Sequence, residues 1–351
     1  KINMKIRPIK INQRWIGDEK PCYIIAEIGS NFNNDIKLAK KLIKKAKDAG
    51  ADAAKFQSFQ VEKILSRSGF EKKVSFQSKW KKPVWQVYKE AELPLEWIKE
   101  LSIYSKKCKI DFLSAPYHTE AVDELVRCNV PAIKIGSGEI TNLEFLKYVA
   151  KTKKPILLAT GASTQKEVDV AVKTILKINK KLILMQATTQ YPSPISDTNL
   201  RVMDTFRIKF NLNVGYSDHT PEFTAVLGSI ALGAVTVEKH FTLDKSSSGP
   251  DHPHSLDFRE FSKMVKSIRE MESALGNDVK KIEKSEKYTS IIQRRGIWTI
   301  KKIKKGEVFS RSNIDVLRPS KGIPASKLKN ILKKRAKRNY PEYSPLNLDE
   351  L

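Results

Sequence analysis

Asn213-Val214-Gly215-Tyr216-Ser217-Asp218-His219 and, one helix later, Val235-Thr236-Val237-Glu238-Lys239-His240 decide the reading of this chain. Each run starts apolar or β-branched, as a buried strand does, and finishes on polar groups that a buried strand would not otherwise choose. Both end on histidine. In an eight-fold β/α repeat the carboxyl ends of the strands face one mouth, so both imidazoles point into it. Two neutral imidazoles converging in a mouth are the beginning of a divalent-metal site.

Working outward, these are the last two of eight such runs. The others lie at residues 23–28, 53–57, 111–114, 132–135, 156–160 and 182–186. Amphipathic helical stretches separate many of them, at 36–49, 95–107, 119–128, 143–152, 164–178 and 222–232, and a last one follows at 258–275. Turn residues such as Gly50, Pro131, Pro155, Asn211 and Gly233 precede several strands. This alternation predicts a parallel (β/α)8 TIM barrel rather than an open sheet, and no Gly-x-Gly-x-x-Gly follows any strand. Residues 58–94 are too long for an ordinary connection. With Trp80, Trp85 and Tyr88 they are expected to fold over the mouth. Residues 242–257, rich in Ser, Gly and Pro, lie at the mouth too. Composition shifts near residue 276. The expected organisation is a catalytic barrel with an N-terminal extension over 1–275, a linker over 276–287 and a small β-rich domain over 288–351 with strand-like pieces at 296–300 and 308–309.

With 40 % hydrophobic residues and no 18-residue apolar run, the chain has no membrane span. Lys1-Ile2-Asn3-Met4-Lys5-Ile6 is basic but lacks the apolar core and cleavage site of a signal peptide, and Met4 reads as a natural start. Cys22, Cys108 and Cys128 have neither metal nor redox spacing, which reads as cytoplasmic. The net charge of +26 is spread over nearly every helix without interleaved aromatics. It reads as lysine at exposed positions rather than as a nucleic-acid surface, and is compatible with steering an anionic substrate.

Almost every strand end carries a polar group: Glu27, Lys55 and Gln57, Lys134 with Ser137 and Glu139, Thr189 and Tyr191, Ser217, and the two histidines. Lysine within a strand is costly unless paired, so Lys55 and Lys134 read as cations for a phosphate or carboxylate, helped by the close-approaching amides of Gly136-Ser137-Gly138, or as structural partners of Glu27 and Glu139. His219 and His240, with Ser217, Asp218, Glu238 and Asp251 nearby, suit Mn²⁺ or a similar Lewis acid polarising a carbonyl. His252 and His254 read as rim groups and His118 as a helix start.

These residues resemble a known family. Ile25-Ala26-Glu27-Ile28-Gly29, Lys55-Phe56-Gln57, Lys134 to Glu139, Gly215 to Thr220, Glu238-Lys239-His240-Phe241-Thr242 and Gly249-Pro250-Asp251-His252 occur in the order of the sialic acid synthases. The segment from about Tyr288 resembles their antifreeze-like (SAF) domain. The resemblance implies condensation of phosphoenolpyruvate with an N-acylmannosamine-type sugar, either N-acetylmannosamine or a 2,4-diacetamido-6-deoxy analogue. The products are a nine-carbon 2-keto-3-deoxy acid and phosphate. It implies His219 and His240 as ligands of Mn²⁺, with Mg²⁺ or Co²⁺ as alternatives. Glu139, Glu27 and Lys55 would act at the reacting centre. Lys55, Gln57, Lys134, Ser137, Thr189, Tyr191, Ser217 and Asp251 would bind substrate. Arg318 matches an arginine lent to the partner's site in a domain-swapped homodimer. Two departures stand out: Thr189 where some members have Asn, and Ala115 where some have Thr. Gly136-Ser137-Gly138-Glu139 resembles the neuraminate and legionaminate branch more than the pseudaminate branch. The alternatives from other classes are a Schiff-base aldolase using Lys134 and a barrel that only binds an anionic sugar.

Overall fold

The computed structural model describes residues 6–73, 77–78 and 80–350. The start read above at Lys1–Lys5 lies outside the described residues. The chain divides into two compact units, Lys1–Gly276 and Asn277–Leu351.

The first unit opens with an antiparallel hairpin, β1 (Ile9–Ile11) and β2 (Arg14–Ile16). Eight barrel strands follow: β3 (Tyr23–Gly29), β4 (Ala53–Ser58), β5 (Asp111–Pro116), β6 (Ile133–Ile135), β7 (Ile156–Ala159), β8 (Leu182–Ala187), β9 (Asn213–Asp218) and β10 (Thr236–His240). The ladder runs β5-β4-β3-β10-β9-β8-β7-β6, all parallel, with the first strand pairing the last. Consecutive β5 and β6 lie against each other at the seam, so the sheet is a nearly closed barrel.

The pleat sorts side chains into two cores. Inward-facing Tyr23, Ile25, Ala53, Leu113, Leu157 and Ile183 fill the lower barrel together with Ile9, Ile11 and Ile16 of the hairpin, which plugs the end away from the strands' carboxyl termini. Outward-facing Ile24, Ala26, Phe56, Val214 and Val237 pack under the helices. Above the apolar plug the same inward rows continue as Glu27, Lys55, Lys134, Ser217 and Glu238. The fold thus changes from apolar to ionic along the barrel axis.

The structure adds a helix, Val202–Phe210, that the sequence reading left as connection. Its first residue lacks a side-chain cap and only Met203 and Phe206 are buried, so both the start signal and the apolar stripe are faint. In the second unit, β11 (Gly296–Thr299) pairs antiparallel with β12 (Ile314–Leu317). The strand expected at 308–309 is a correction: Val308 makes an isolated bridge to Arg335, while Phe309 enters the core with Ile297, Ile314, Ile331 and Tyr340.

Candidate functional site

A cavity of about 330 Å³ opens at the carboxyl ends of the barrel strands. All twelve residues singled out in the barrel line it: Glu27, Lys55, Gln57, Lys134, Ser137, Glu139, Thr189, Tyr191, Ser217, His219, His240 and Asp251. Arg318 belongs to the second unit, where its side chain is exposed.

The floor is a chain of four buried charges. Glu27 and Lys55 are directly opposed on neighbouring strands, and Lys55 Nζ lies 2.8 Å from Glu27 Oε2. Glu238 Oε1 accepts from Lys134 Nζ at 2.8 Å and from Ser217 Oγ at 3.1 Å, and lies 3.5 Å from Lys55 Nζ. An unpaired buried ammonium would cost several kcal/mol, so this alternation is what lets both lysines stay inside. Burial pushes Lys134 down, and only partly does Glu238 oppose it. For Lys55 burial acts the same way, but Glu238 and Glu27 together outweigh it and the ammonium is held. Burial raises Glu27, whose other oxygen accepts from Gln57 at 2.8 Å. Burial also raises Glu139, which sits in the short turn Ser137–Glu139 after β6.

Beside the floor, Ser137 Oγ accepts the Gly161 N–H at 3.0 Å. A Cβ on Gly161 would lie 2.1 Å from Thr189 Oγ1 and 2.9 Å from Ser137 Oγ, so only glycine lets this amide and these two hydroxyls converge. The result is a compact cradle whose two hydroxyls can donate to a ligand, Ser137 being held in place by the Gly161 amide.

The imidazoles form the opposite side. His219 Nδ1 faces the Thr188 carbonyl at 2.6 Å; a carbonyl only accepts, so Nδ1 carries the proton and Nε2 is the basic nitrogen. The His219 and His240 ring centres are 5.8 Å apart, and those of His240 and His254 4.7 Å. Burial pushes His219 down to about 4 and also lowers His240 and His254, so all three are neutral near pH 7. His252 and His254 are a correction: they are buried rather than on the rim. The 242–257 loop is drawn inward where His252 Nδ1 meets Thr242 Oγ1 at 2.7 Å and Nε2 meets Asn33 Oδ1 at 3.2 Å.

One ligand atom each from His240, Asp251 and His254 lies within 4.8 Å of the others. Asp251 is aimed by Ser30, whose N–H and Oγ both donate to Oδ2, at 3.0 and 2.9 Å. Gly29 makes the approach feasible: its φ is +53°, and a Cβ there would stand 2.4 Å from that oxygen. His240 Nδ1 and His254 Nε2 are buried without a hydrogen-bond partner. Neutral, desolvated imidazole nitrogens and a carboxylate fit a divalent cation. His219 stands beside this cluster rather than within it.

Two contributors were missed by sequence reasoning. Glu238 was noted only as a neighbour of the histidines, because nothing in sequence shows that one carboxylate serves two lysines 104 and 183 residues away along the chain. His254 was missed because loop residues carry no periodicity that gives their direction. Described residues of the 58–94 segment do come to the mouth: Phe59, Ile64, Leu65, Trp80, Val87 and Tyr88 give the cavity an apolar wall. Trp85 instead stacks on Arg67, the guanidinium lying 4.5 Å from the ring centre.

The NeuB family model matches residues 42–280 and the SAF domain model residues 294–351. An N,N'-diacetyllegionaminic acid synthase of Campylobacter jejuni is 43 % identical over 92 % of this chain and 98 % of its own length. One from Legionella pneumophila is 36 % identical over 96 % of this chain and 95 % of its own. Among solved structures, the N-acetylneuraminic acid synthetase of Leptospira borgpetersenii aligns with a TM-score of 0.74 at 28 % identity, over 82 % of this chain and 96 % of that one. The chain belongs to the NeuB family and carries a SAF domain after its barrel.

Proposed function

We propose that the protein is a phosphoenolpyruvate-dependent nonulosonic acid synthase. The observation that carries this reading is the pair of buried ammonium groups, Lys55 and Lys134, beside the Ser137, Thr189 and Gly161 cradle in a cavity whose far side is three neutral imidazoles. One half suits an enol phosphate, and the other an uncharged carbonyl held near a cation.

In the proposed reaction, C3 of phosphoenolpyruvate bonds to the aldehyde carbon of an open-chain N-acylated amino sugar. Water gives its hydroxyl to C2 and a proton to the former aldehyde oxygen. The C2 hydroxyl proton then passes to phosphate, which leaves with the bridging oxygen and yields the 2-keto-3-deoxy acid. Lys55, Lys134, Ser137, Thr189 and Ser217 hold the phosphate and carboxylate. Glu139 and Glu27, both raised by burial, hold and hand on protons at the reacting carbons, with Gln57 orienting Glu27. Tyr191, packed 4.3 Å from the His219 ring centre, and Asp251 shape the sugar side. His240, Asp251 and His254, with His219 next to them, would hold Mn²⁺ or a similar ion. When bound, it supplies Lewis-acid polarisation of the sugar carbonyl.

The sugar is assigned as a 2,4-diacetamido-6-deoxy hexose rather than a 6-phosphate. The wall of Phe59, Ile64, Leu65 and Val87 accommodates methyl groups, and the two relatives above carry legionaminic acid in their names. Arg318 is assigned to the cavity of a second copy in a domain-swapped dimer, and the enzyme to the cytoplasm, where phosphoenolpyruvate is made. Among the described residues no helix is long and apolar enough to cross a membrane.

The test is phosphate release from phosphoenolpyruvate with Mn²⁺ and a panel of N-acetylmannosamine, its 6-phosphate and the 2,4-diacetamido-6-deoxy sugar. The last should give the highest kcat/KM. Preference for the 6-phosphate would overturn the sugar assignment. A second reading, Schiff-base aldol chemistry, draws on the lowered Lys134 amine. Borohydride trapping of a pyruvate adduct on Lys134 would favour it.

A further inference from the structure

Among the described residues, the best-buried ion pair of the first unit stands outside the cavity, directly behind the histidines. Side chains alternate along β9 and β10, so Ser217, Glu238 and His240 line the cavity while Asp218 and Lys239 turn the other way, toward the helices. There Lys239 Nζ meets Asp218 Oδ2 at 2.7 Å, with the two side chains 1 % and 0 % exposed. Every ammonium proton is used, the other two on the carbonyls of Thr220 and of Glu222, the latter at 2.8 Å. The carboxylate is equally engaged. Oδ1 accepts from Tyr216 Oη and the Thr220 N–H, each at 3.0 Å, and Oδ2 accepts from Thr220 Oγ1 at 3.0 Å.

Stability alone is a poor reason for this arrangement. Replacing a buried ion pair with apolar groups of similar volume is often neutral or stabilising, because desolvation consumes the Coulomb gain. Apolar groups could not, however, grip the carbonyls of Thr220 and Glu222. Those belong to the irregular connection between β9 and the helix Thr224–Ala231, which begins with His219. The pair therefore fixes the backbone on both sides of His219 and ties it across to the residue before His240.

We propose that Lys239 and Asp218 are a positioning pair for the synthase reaction. They never touch substrate; they set the spacing and direction of His219 and His240 toward the cation and the sugar carbonyl. This rests on the synthase reading given above.

The test uses the full-length protein and two variants: the volume-conserving double substitution Lys239→Met with Asp218→Asn, and the milder Tyr216→Phe, which removes one bond to the carboxylate. Mn²⁺ affinity is read by electron paramagnetic resonance, and kcat and the phosphoenolpyruvate KM by phosphate release. The expected result for the double variant is a loss of about 10-fold or more in Mn²⁺ affinity and kcat, as for groups that orient a metal ligand. Its KM for phosphoenolpyruvate should stay within about 3-fold, because the anion-holding residues are untouched. Tyr216→Phe should move both quantities in the same direction by a smaller factor. Wild-type Mn²⁺ affinity and kcat in the folded double variant overturn the proposal. If that variant does not fold, the same result in Tyr216→Phe overturns it. Absence of phosphate release from the wild type would sink the synthase reading, while the Mn²⁺ measurement still decides the positioning claim.

Discussion

Glu238 is the residue on which the cavity floor turns. Its carboxylate serves Lys134, Lys55 and Ser217, and the two lysines outweigh its own desolvation and hold it ionised. Glu238→Gln removes the charge both ammonium groups share, so unfolding stability should fall by about 3–5 kcal/mol, the usual cost of breaking a buried pair. A calorimetric scan checks this; an unchanged Tm would contradict it. Gly29 is sensitive for a different reason. Gly29→Ala adds a Cβ into the Asp251 carboxylate at a positive φ, so it should lower kcat by about 10-fold or more through displacement of that group. Steady-state kinetics on the alanine variant checks it, and wild-type turnover would show that Asp251 has room to move. At this scale the sequence was informative wherever a polar residue interrupts a strand, since a barrel makes its direction calculable. It placed His254 on the rim instead of inside, because that direction depends on a loop closed by His252 and Asn33.

At the scale of elements, the eight strands were legible because buried parallel strands write short apolar runs bounded by turn residues. The helix Val202–Phe210 was not, for want of a cap and a wide apolar stripe. Nor was the partner of β11, because the second unit is held by isolated bridges as much as by regular ladder. The helix Thr119–Arg127 illustrates a local signal with a pH consequence. His118 caps it by accepting the Ala121 N–H on Nδ1 at 3.3 Å, a role open only while that nitrogen is unprotonated, and the Glu120 carboxylate competes for a proton there at 3.0 Å. Burial holds the ring below its ordinary pKa despite the nearby Glu120. A group whose folded pKa is depressed gives stability that is present above the unfolded value of about 6.5 and is lost as pH falls below it. The cap is worth about 1 kcal/mol. His118→Asn keeps a capping acceptor that does not titrate, so its Tm should fall less than that of the wild type between pH 7 and pH 5. Parallel Tm profiles for the two proteins would contradict the assignment.

At the scale of the whole molecule, the proposal that Arg318 serves a second copy makes a distinctive prediction. Arg318→Ala should raise the sugar KM by about 10-fold while leaving that for phosphoenolpyruvate within about 3-fold, the pattern of a lost substrate contact. An Arg318→Ala chain mixed with a His240→Ala chain should regain activity, because one site of each mixed dimer then combines an intact barrel with an intact arginine. An arginine acting within its own chain would give no recovery on mixing. The central claim concerns the chemistry, and phosphoenolpyruvate labelled with ¹⁸O at the oxygen bridging C2 and phosphorus addresses it most directly. With Mn²⁺ and the N-acylated sugar, the label should be recovered in inorganic phosphate, matched by equal formation of the nine-carbon acid. Unlabelled phosphate, or no phosphate at all, would contradict the account.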